Sequence, residues 1–269
     1  MKHVPAIDCH VHLVCEHGYI DNHLREMDRL GIEQSWLLAV DRQQYIEGEF
    51  PGYEDNEGVL KAASGHPDRF VAFAHIRPDK EGKDGVRAYA DQGFKGLKFI
   101  QPRLPYNHEK YFPVYKEARD AEMVLLFHTG VVGYSQNDYK YGTSSANMRP
   151  VFLDPIARAF PSLNIIGAHL GSPWVWEASA VARHVPNIHF DLSGGLWTLK
   201  TMDSSDWKKV FAWERMFKKI LFGTDVHYRN LQRSLAIYED ILRMAEATPR
   251  ERILVMRENA ARIMKSNLP

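Results

Sequence analysis

Six residues near the N-terminus, Ile7-Asp8-Cys9-His10-Val11-His12, have types and spacing that could do chemistry. Their apolar setting predicts a short strand, and side chains on a strand alternate between its faces. Asp8, His10 and His12 are then expected on one face, and Cys9 on the other. Two imidazoles held this way can bite one ion from a rigid element. Zn²⁺, Fe²⁺ or Mn²⁺ suits imidazole nitrogen combined with carboxylate oxygen. The same pattern also describes two ordinary polar residues on a half-exposed strand. The metal reading therefore depends on matching groups elsewhere in the chain.

Such groups close later apolar runs. Leu125-Leu126-Phe127-His128-Thr129-Gly130 holds His128, Gly167-Ala168-His169-Leu170-Gly171 holds His169, and Leu221-Phe222-Gly223-Thr224-Asp225 ends in Asp225. Lys98 lies in another such run, from Gly96 to Ile100. Parity agrees: Val124, Leu126 and His128 share a face, as do Ile165, Gly167 and His169. Polar groups at the ends of apolar strands are costly unless paired or coordinating. Their convergence is a more specific signal than His-X-His alone.

The elements that must position them alternate regularly. Strands are expected at 7–12, 34–40, 70–76, 96–100, 123–128, 164–169, 188–192 and 220–225. Helices are expected at 20–30, 54–64, 83–92, 109–121, 150–160, 173–185 and 206–218, with two more at 231–247 and 257–265. Gly31 and Gly65 supply helix stops. A long loop, 129–148, has a length usual for functional segments. Such βα alternation predicts an α/β fold with a parallel sheet. Eight units predict a single (β/α)₈ TIM barrel over residues 1–269, with the active site at the C-terminal mouth. A doubly wound open sheet is the alternative, but no Gly-X-Gly-X-X-Gly follows the first strand.

Composition narrows the class. The chain is 45% hydrophobic and 25% charged, with formal net charge zero, which is globular and argues against nucleic-acid or membrane partners. Cys9 and Cys15 are the only cysteines and form no Cys-X-X-Cys, so both are read as reduced thiols in a cytoplasmic protein. Met1-Lys2-His3 leads straight into the first strand, so no signal peptide is expected, and apolar runs such as 123–127 are too short to span a membrane.

Taken together, these motifs resemble the amidohydrolase superfamily, and most closely the amidohydrolase-related family of decarboxylases and lactone hydrolases. The resemblance runs through Asp8-X-His10-X-His12, Gly93-Phe94-Lys95-Gly96-Leu97-Lys98, Phe127-His128-Thr129-Gly130, Ala168-His169-Leu170-Gly171, Gly223-Thr224-Asp225 and Glu258-Asn259-Ala260-Ala261-Arg262. It implies His10, His12, His128 and Asp225 as ligands of one divalent metal, zinc first, with manganese or iron as alternatives. It implies Asp225 and His169 as the catalytic residues, with His169 facing substrate. Lys98 has three readings: a free ammonium that holds a substrate carboxylate, a carboxylated lysine bridging two ions, with His169 then a ligand, or a structural lysine that snorkels near the barrel mouth.

Arg103 and Arg149 could clamp a carboxylate bidentately, or be surface arginines. Trp174, Trp197, Trp176 and Tyr228 follow strands and could wall a pocket for a flat ring, or pack helices. His227 and His75 could reach the mouth. The expected reaction is hydrolysis of a small carboxylate-bearing ester, lactone or amide by metal-activated water. The alternative is non-oxidative decarboxylation of an aromatic or muconate-like acid in the same site. A non-enzymatic metal or anion binder is the third reading. The expected partner is a small-molecule acid, and the family's habits allow a homo-oligomer.

Overall fold

The computed structural model describes residues 5–40, 52–133, 138–194, 199–213 and 215–265. Eight strands run through it: β1 (Ala6–Val11), β2 (Ile32–Leu38), β3 (Phe70–His75), β4 (Gly96–Phe99), β5 (Val124–Phe127), β6 (Ile165–Gly167), β7 (Ile188–Asp191) and β8 (Ile220–Leu221). Each pairs in parallel with the next, in the order of the chain. Two further hydrogen bonds bring the last strand back to the first: Cys9 N–H donates to Phe222 O at 2.9 Å, and Asp225 N–H to His10 O at 2.7 Å. With helices between the strands, this is the expected (β/α)₈ barrel.

The period of two along each strand divides the core into two layers. Leu97, Phe99, Leu125, Phe127, Ile165 and Phe190 face outward and pack under the helices. Ile7, Trp36, Phe73, Val124, Leu126, Ile166 and Leu221 face inward and fill the barrel. Trp36 stacks on Phe73 with ring centroids 5.3 Å apart. Ala260 and Ile263, from the last helix, join this inner layer. Asn259 beside them donates to Phe217 O and Ile220 O, both at 2.7 Å, tying that helix to the start of β8. The barrel interior is thus a packed solid, and polar chemistry is left to its C-terminal end.

The helices follow ordinary rules. Tyr19–Leu30 buries Tyr19, His23, Met27 and Leu30 at helical spacing and stops at Gly31, whose φ of 74° suits glycine. Asn56–Gly65 starts where the Asp55 carboxylate accepts the Gly58 N–H. No helix among the described residues is long and apolar enough to cross a membrane.

Two local departures from simple alternation matter for the site. The register of β1 against β2 shifts between Asp8 and Val11. Ile7 and Cys9 alternate into the inner layer, and across this shift His10 faces the mouth as well, so Cys9 is not on the opposite face. Asp8 in turn faces β8 instead of the mouth: its carboxylate accepts Thr224 N–H at 2.9 Å and Thr224 O–H at 2.6 Å. The second departure is β8, only two residues long, so Asp225 stands on a turn four residues beyond it, at φ 52°.

Candidate metal centre and catalytic cavity

Strand ends from β1, β4, β5, β6 and β8 deliver His10, His12, Lys98, His128, His169 and Asp225 to one cavity of about 160 Å³. Tyr53 and Ile100 complete one wall, and Val131, Val132 and Gly133 another.

His12 Nδ1 lies 2.7 Å from Leu38 O. A carbonyl only accepts, so Nδ1 carries the proton and Nε2 is left with its lone pair. His10 Nδ1 lies 2.9 Å from Asp191 Oδ2, which by the same logic leaves His10 Nε2 bare. Asp225 Oδ1 stands 3.9 Å from His10 Nε2 and 3.7 Å from His12 Nε2. These donor atoms lie within 4.8 Å of one another. Burial holds His12 down to about 3, against the pull of Asp225, so the imidazole is neutral at pH 7. Two neutral imidazole lone pairs and a carboxylate oxygen facing one another form a donor set for a divalent cation.

His128 adds a second sign. Its Nε2 is buried with no hydrogen-bond partner, while Nδ1 lies 3.1 Å from His169 Nε2. An orphaned buried nitrogen costs about 1–3 kcal/mol unless something binds it. His128 lines the same cavity but shares no comparably tight donor set with His10, His12 and Asp225.

Lys98 is 1% exposed, and its Nζ lies 3.1 Å from His10 Nε2, donating to that lone pair. Burial pulls its ammonium down to about 8, against Asp225 and Asp191, so it remains mostly charged at neutral pH. It is a built-in cation beside the donor set. Burial pushes the Asp225 carboxyl up, but His10, His12, His169 and Lys98 together hold it below the ordinary carboxylate value.

His169 sits just past β6 in a left-handed turn, at φ 62°, followed by Leu170 at φ 45°. Such backbone costs of order 1–3 kcal/mol per residue and persists where the surroundings over-determine it. Here the His169 N–H donates to Asp191 Oδ1 at 2.9 Å. The ring then places Nε2 4.0 Å from Asp225 Oδ2. Burial holds the His169 imidazole below its ordinary value, against Asp225.

Asp191 and Ser193 were not expected at the site. Asp191 is a fully buried carboxylate at the last position of β7 and touches His10, His169 and Ser193. Its signal was the one that marked Asp225, a charged residue closing an apolar strand.

The cavity shares His128, His169, Val131, Val132 and Gly133 with an outer vestibule of about 460 Å³, whose further lining includes Pro173 and Gly194. Lys98 is the one lysine or arginine lining either space among the described residues. A larger cavity of about 710 Å³ runs along the helices Tyr19–Leu30 and Asn56–Gly65 beside Glu16, Glu54 and Lys61, and none of the clustered donors line it.

The remaining sequence candidates lie elsewhere. Arg103 lines a separate cavity of about 520 Å³ with Asp79, Lys110 and Tyr111. Arg149 pairs with Glu177, and its guanidinium lies 5.2 Å over the Trp174 ring, so the two expected binders engage each other. Trp176 is 53% exposed. His227 and Tyr228 reach Glu16, and His75 is buried at the end of β3. Trp197 lies outside the described residues.

A family model described as amidohydrolase matches residues 7–265. No curated protein matches the chain. Several solved structures do. 5-Carboxyvanillate decarboxylase from Sphingomonas paucimobilis aligns with TM-score 0.67 at 15% identity, covering 97% of this chain and 99% of that one. A dihydroxybenzoic acid decarboxylase from Polaromonas sp. JS666, with bound manganese and the inhibitor 2-nitroresorcinol, aligns with TM-score 0.66 at 17% identity, covering 100% and 98%. A probable 2-pyrone-4,6-dicarboxylic acid hydrolase from Acinetobacter baumannii, with citric acid bound, aligns with TM-score 0.67 at 14% identity, covering 97% and 99%.

Proposed function

The chain belongs to the amidohydrolase family, and on that premise we propose that it is a metal-dependent carboxy-lyase that removes CO₂ from a small aromatic or muconate-like acid. One observation carries the reading. His169 lines both the polar cavity and the vestibule walled by Val131, Val132 and Pro173, with its Nε2 4.0 Å from Asp225 Oδ2 inside the cavity. Loss of CO₂ turns a charged carboxylate into a neutral gas, and a low-polarity wall favours that change. The decarboxylases among the similar structures, the two described above included, support the same choice, so decarboxylation takes precedence over the hydrolysis that the sequence placed first.

His10, His12 and Asp225 Oδ1, with His128 as a fourth donor, would hold one divalent ion, and zinc and manganese both suit these nitrogen and oxygen donors. When bound, it supplies a Lewis acid beside Lys98 for an oxygen of the substrate. Lys98 donates to an oxygen that keeps its negative charge through the reaction, a phenolate or a second carboxylate. Gripping the departing carboxylate instead would stabilise the ground state and slow the step. His169 Nε2, beside the Asp225 carboxylate, takes up one proton from solvent and delivers it to the carbon that bears the carboxyl group. The C–C bond to that group then breaks, its electron pair stays with the ring or diene, and CO₂ leaves.

Hydrolysis is the second reading, favoured by the likeness to the pyrone hydrolase. Asp225 then takes a proton from water, and His169 polarises the carbonyl under attack. Turnover in D₂O separates the two. Metal-loaded protein given hydroxybenzoic and muconate-like acids should release one CO₂ per acid consumed and place one deuteron on the vacated carbon. Opening of a lactone with no CO₂ would transfer the chain to the hydrolases. Tight metal binding with no turnover across acids and lactones would make it a binding protein.

A further inference from the structure

We infer that Asp191 on β7, acting through Ser193, sets the proton positions on His10, His169 and His128, so that each presents a bare Nε2 to the cavity. Asp191 and Ser193 are positioning residues in this assignment.

Asp191 is fully buried. Lys98 Nζ donates to the His10 Nε2 lone pair, which leaves the His10 hydrogen on Nδ1, facing Asp191. Asp191 Oδ2 takes the His10 Nδ1–H at 2.9 Å. Its Oδ1 takes the His169 N–H and the Ser193 N–H, both at 2.9 Å, and lies against the Ser193 hydroxyl. Two oxygens in such contact need a hydrogen between them, and Asp191 Oδ1, already accepting two backbone N–H bonds, brings none. The single Ser193 hydrogen is therefore spent on Asp191.

Ser193 Oγ can then only accept from His169 Nδ1, 2.9 Å away. The Ser193 carbonyl, 3.1 Å from the same nitrogen, also only accepts. His169 thus carries its proton on Nδ1, and Nε2 is bare. That Nε2 lies 3.1 Å from His128 Nδ1, which must be the protonated partner. His128 Nε2 is left bare, and it is the buried nitrogen without a hydrogen-bond partner. One carboxylate thereby dictates three tautomers across three strands. His12 is set independently by the Leu38 carbonyl.

The proton positions stand on the hydrogen bonds alone, while their consequence for metal affinity rests on the metal site proposed above. Long-range ¹H–¹⁵N correlation on the metal-free protein should show Nδ1–H tautomers at His10, His169 and His128. Asp191→Asn should turn its amide oxygen to the three donors on the Oδ1 side and its N–H to His10. His10 should then switch to the Nε2–H tautomer, and zinc or manganese affinity, measured by titration calorimetry, should fall about 10–100-fold. Ser193→Ala leaves the Asp191–His10 bond intact. It removes one of the two acceptors at His169 Nδ1 and keeps the main-chain carbonyl, so it should admit a detectable Nε2–H fraction at His169 and His128 beside the Nδ1–H form and lower kcat about tenfold with KM unchanged, and Ser193→Thr should restore both. An Nε2–H signal at His169 or His128 in the wild type would overturn the inference. So would Asp191→Asn with an unchanged His10 tautomer and unchanged metal affinity. Wild-type protein with the three tautomers but no affinity for divalent ions would remove the metal site and leave the proton assignment standing.

Discussion

Lys98 separates two designs for the site, because an ammonium and a carboxylated lysine do opposite things to a metal. With Nζ 3.1 Å from His10 Nε2, the ammonium competes for the lone pair that a metal would use. Lys98→Met should therefore bind a divalent ion at least as tightly as the wild type, with about one ion per chain by elemental analysis. Its KM should rise about 10–100-fold, the loss of one charge-assisted hydrogen bond of about 1.5–3 kcal/mol. About two ions in the wild type, one of them lost in the variant, would instead make Lys98 a carboxylated bridge. A second residue-scale expectation lies away from the mouth. His23 is fully buried and held down to about 4 by burial, from 6.5. The unfolded chain takes up this proton first as pH falls. Stability is then complete above about pH 6.5 and is lost progressively towards pH 4, by at most about 3 kcal/mol. Urea midpoints measured across that range should fall less steeply in His23→Gln than in the wild type. Equal slopes would mean that His23 does not titrate with folding.

At the scale of elements, the weak point is β8, whose two residues cannot by themselves hold Asp225. Tyr238, from the helix Leu231–Met244, supplies what the strand lacks. Its hydroxyl accepts Leu192 N–H at 2.8 Å and Gly223 N–H at 3.0 Å, and contacts Gly223 O at 2.9 Å. One buried oxygen thus joins the ends of β7 and β8, next to Asp191 and Asp225. Tyr238→Phe keeps the ring packing and strands two backbone donors. It should cost about 2–4 kcal/mol in a denaturation experiment. If the stability proved unchanged, water would be replacing the hydroxyl and the tie would be dispensable. This element was only partly legible. The Leu235, Tyr238 and Leu242 spacing marks the apolar face of a helix, but nothing local says that a tyrosine hydroxyl completes a strand pair.

For the whole molecule, a bound ion would couple strands that meet nowhere else in sequence. His10 and His12 come from β1, His128 follows β5 and Asp225 follows β8, so binding should reinforce barrel closure. At an ion concentration 100 times its Kd, folding should gain about 2.7 kcal/mol, a rise in Tm of about 5 °C. Chelation followed by calorimetric melting checks this, and identical melting curves with and without zinc or manganese would count against the metal site.

The sequence alone determined the barrel and most of the residues at its mouth, though not Asp191 or Ser193. Both follow from local rules: apolar runs of strand length, glycine stops between helices, and polar residues that no apolar strand tolerates without a purpose. His10, His12, Lys98, His128, His169 and Asp225 could be read from that pattern, and they share one cavity. Tertiary structure decided how they are partnered. The register shift in β1 put Cys9 and His10 both inward and Asp8 towards Thr224, which strict alternation along the strand does not foresee. Arg149 and Trp174 were drawn to each other and Glu177 rather than to the cavity. The proton on His10 depends on Asp191, 181 residues away in the chain. Periodicity and turn chemistry act over a few residues, whereas a tautomer or an ion pair is settled by whichever group the closed barrel brings within about 3 Å.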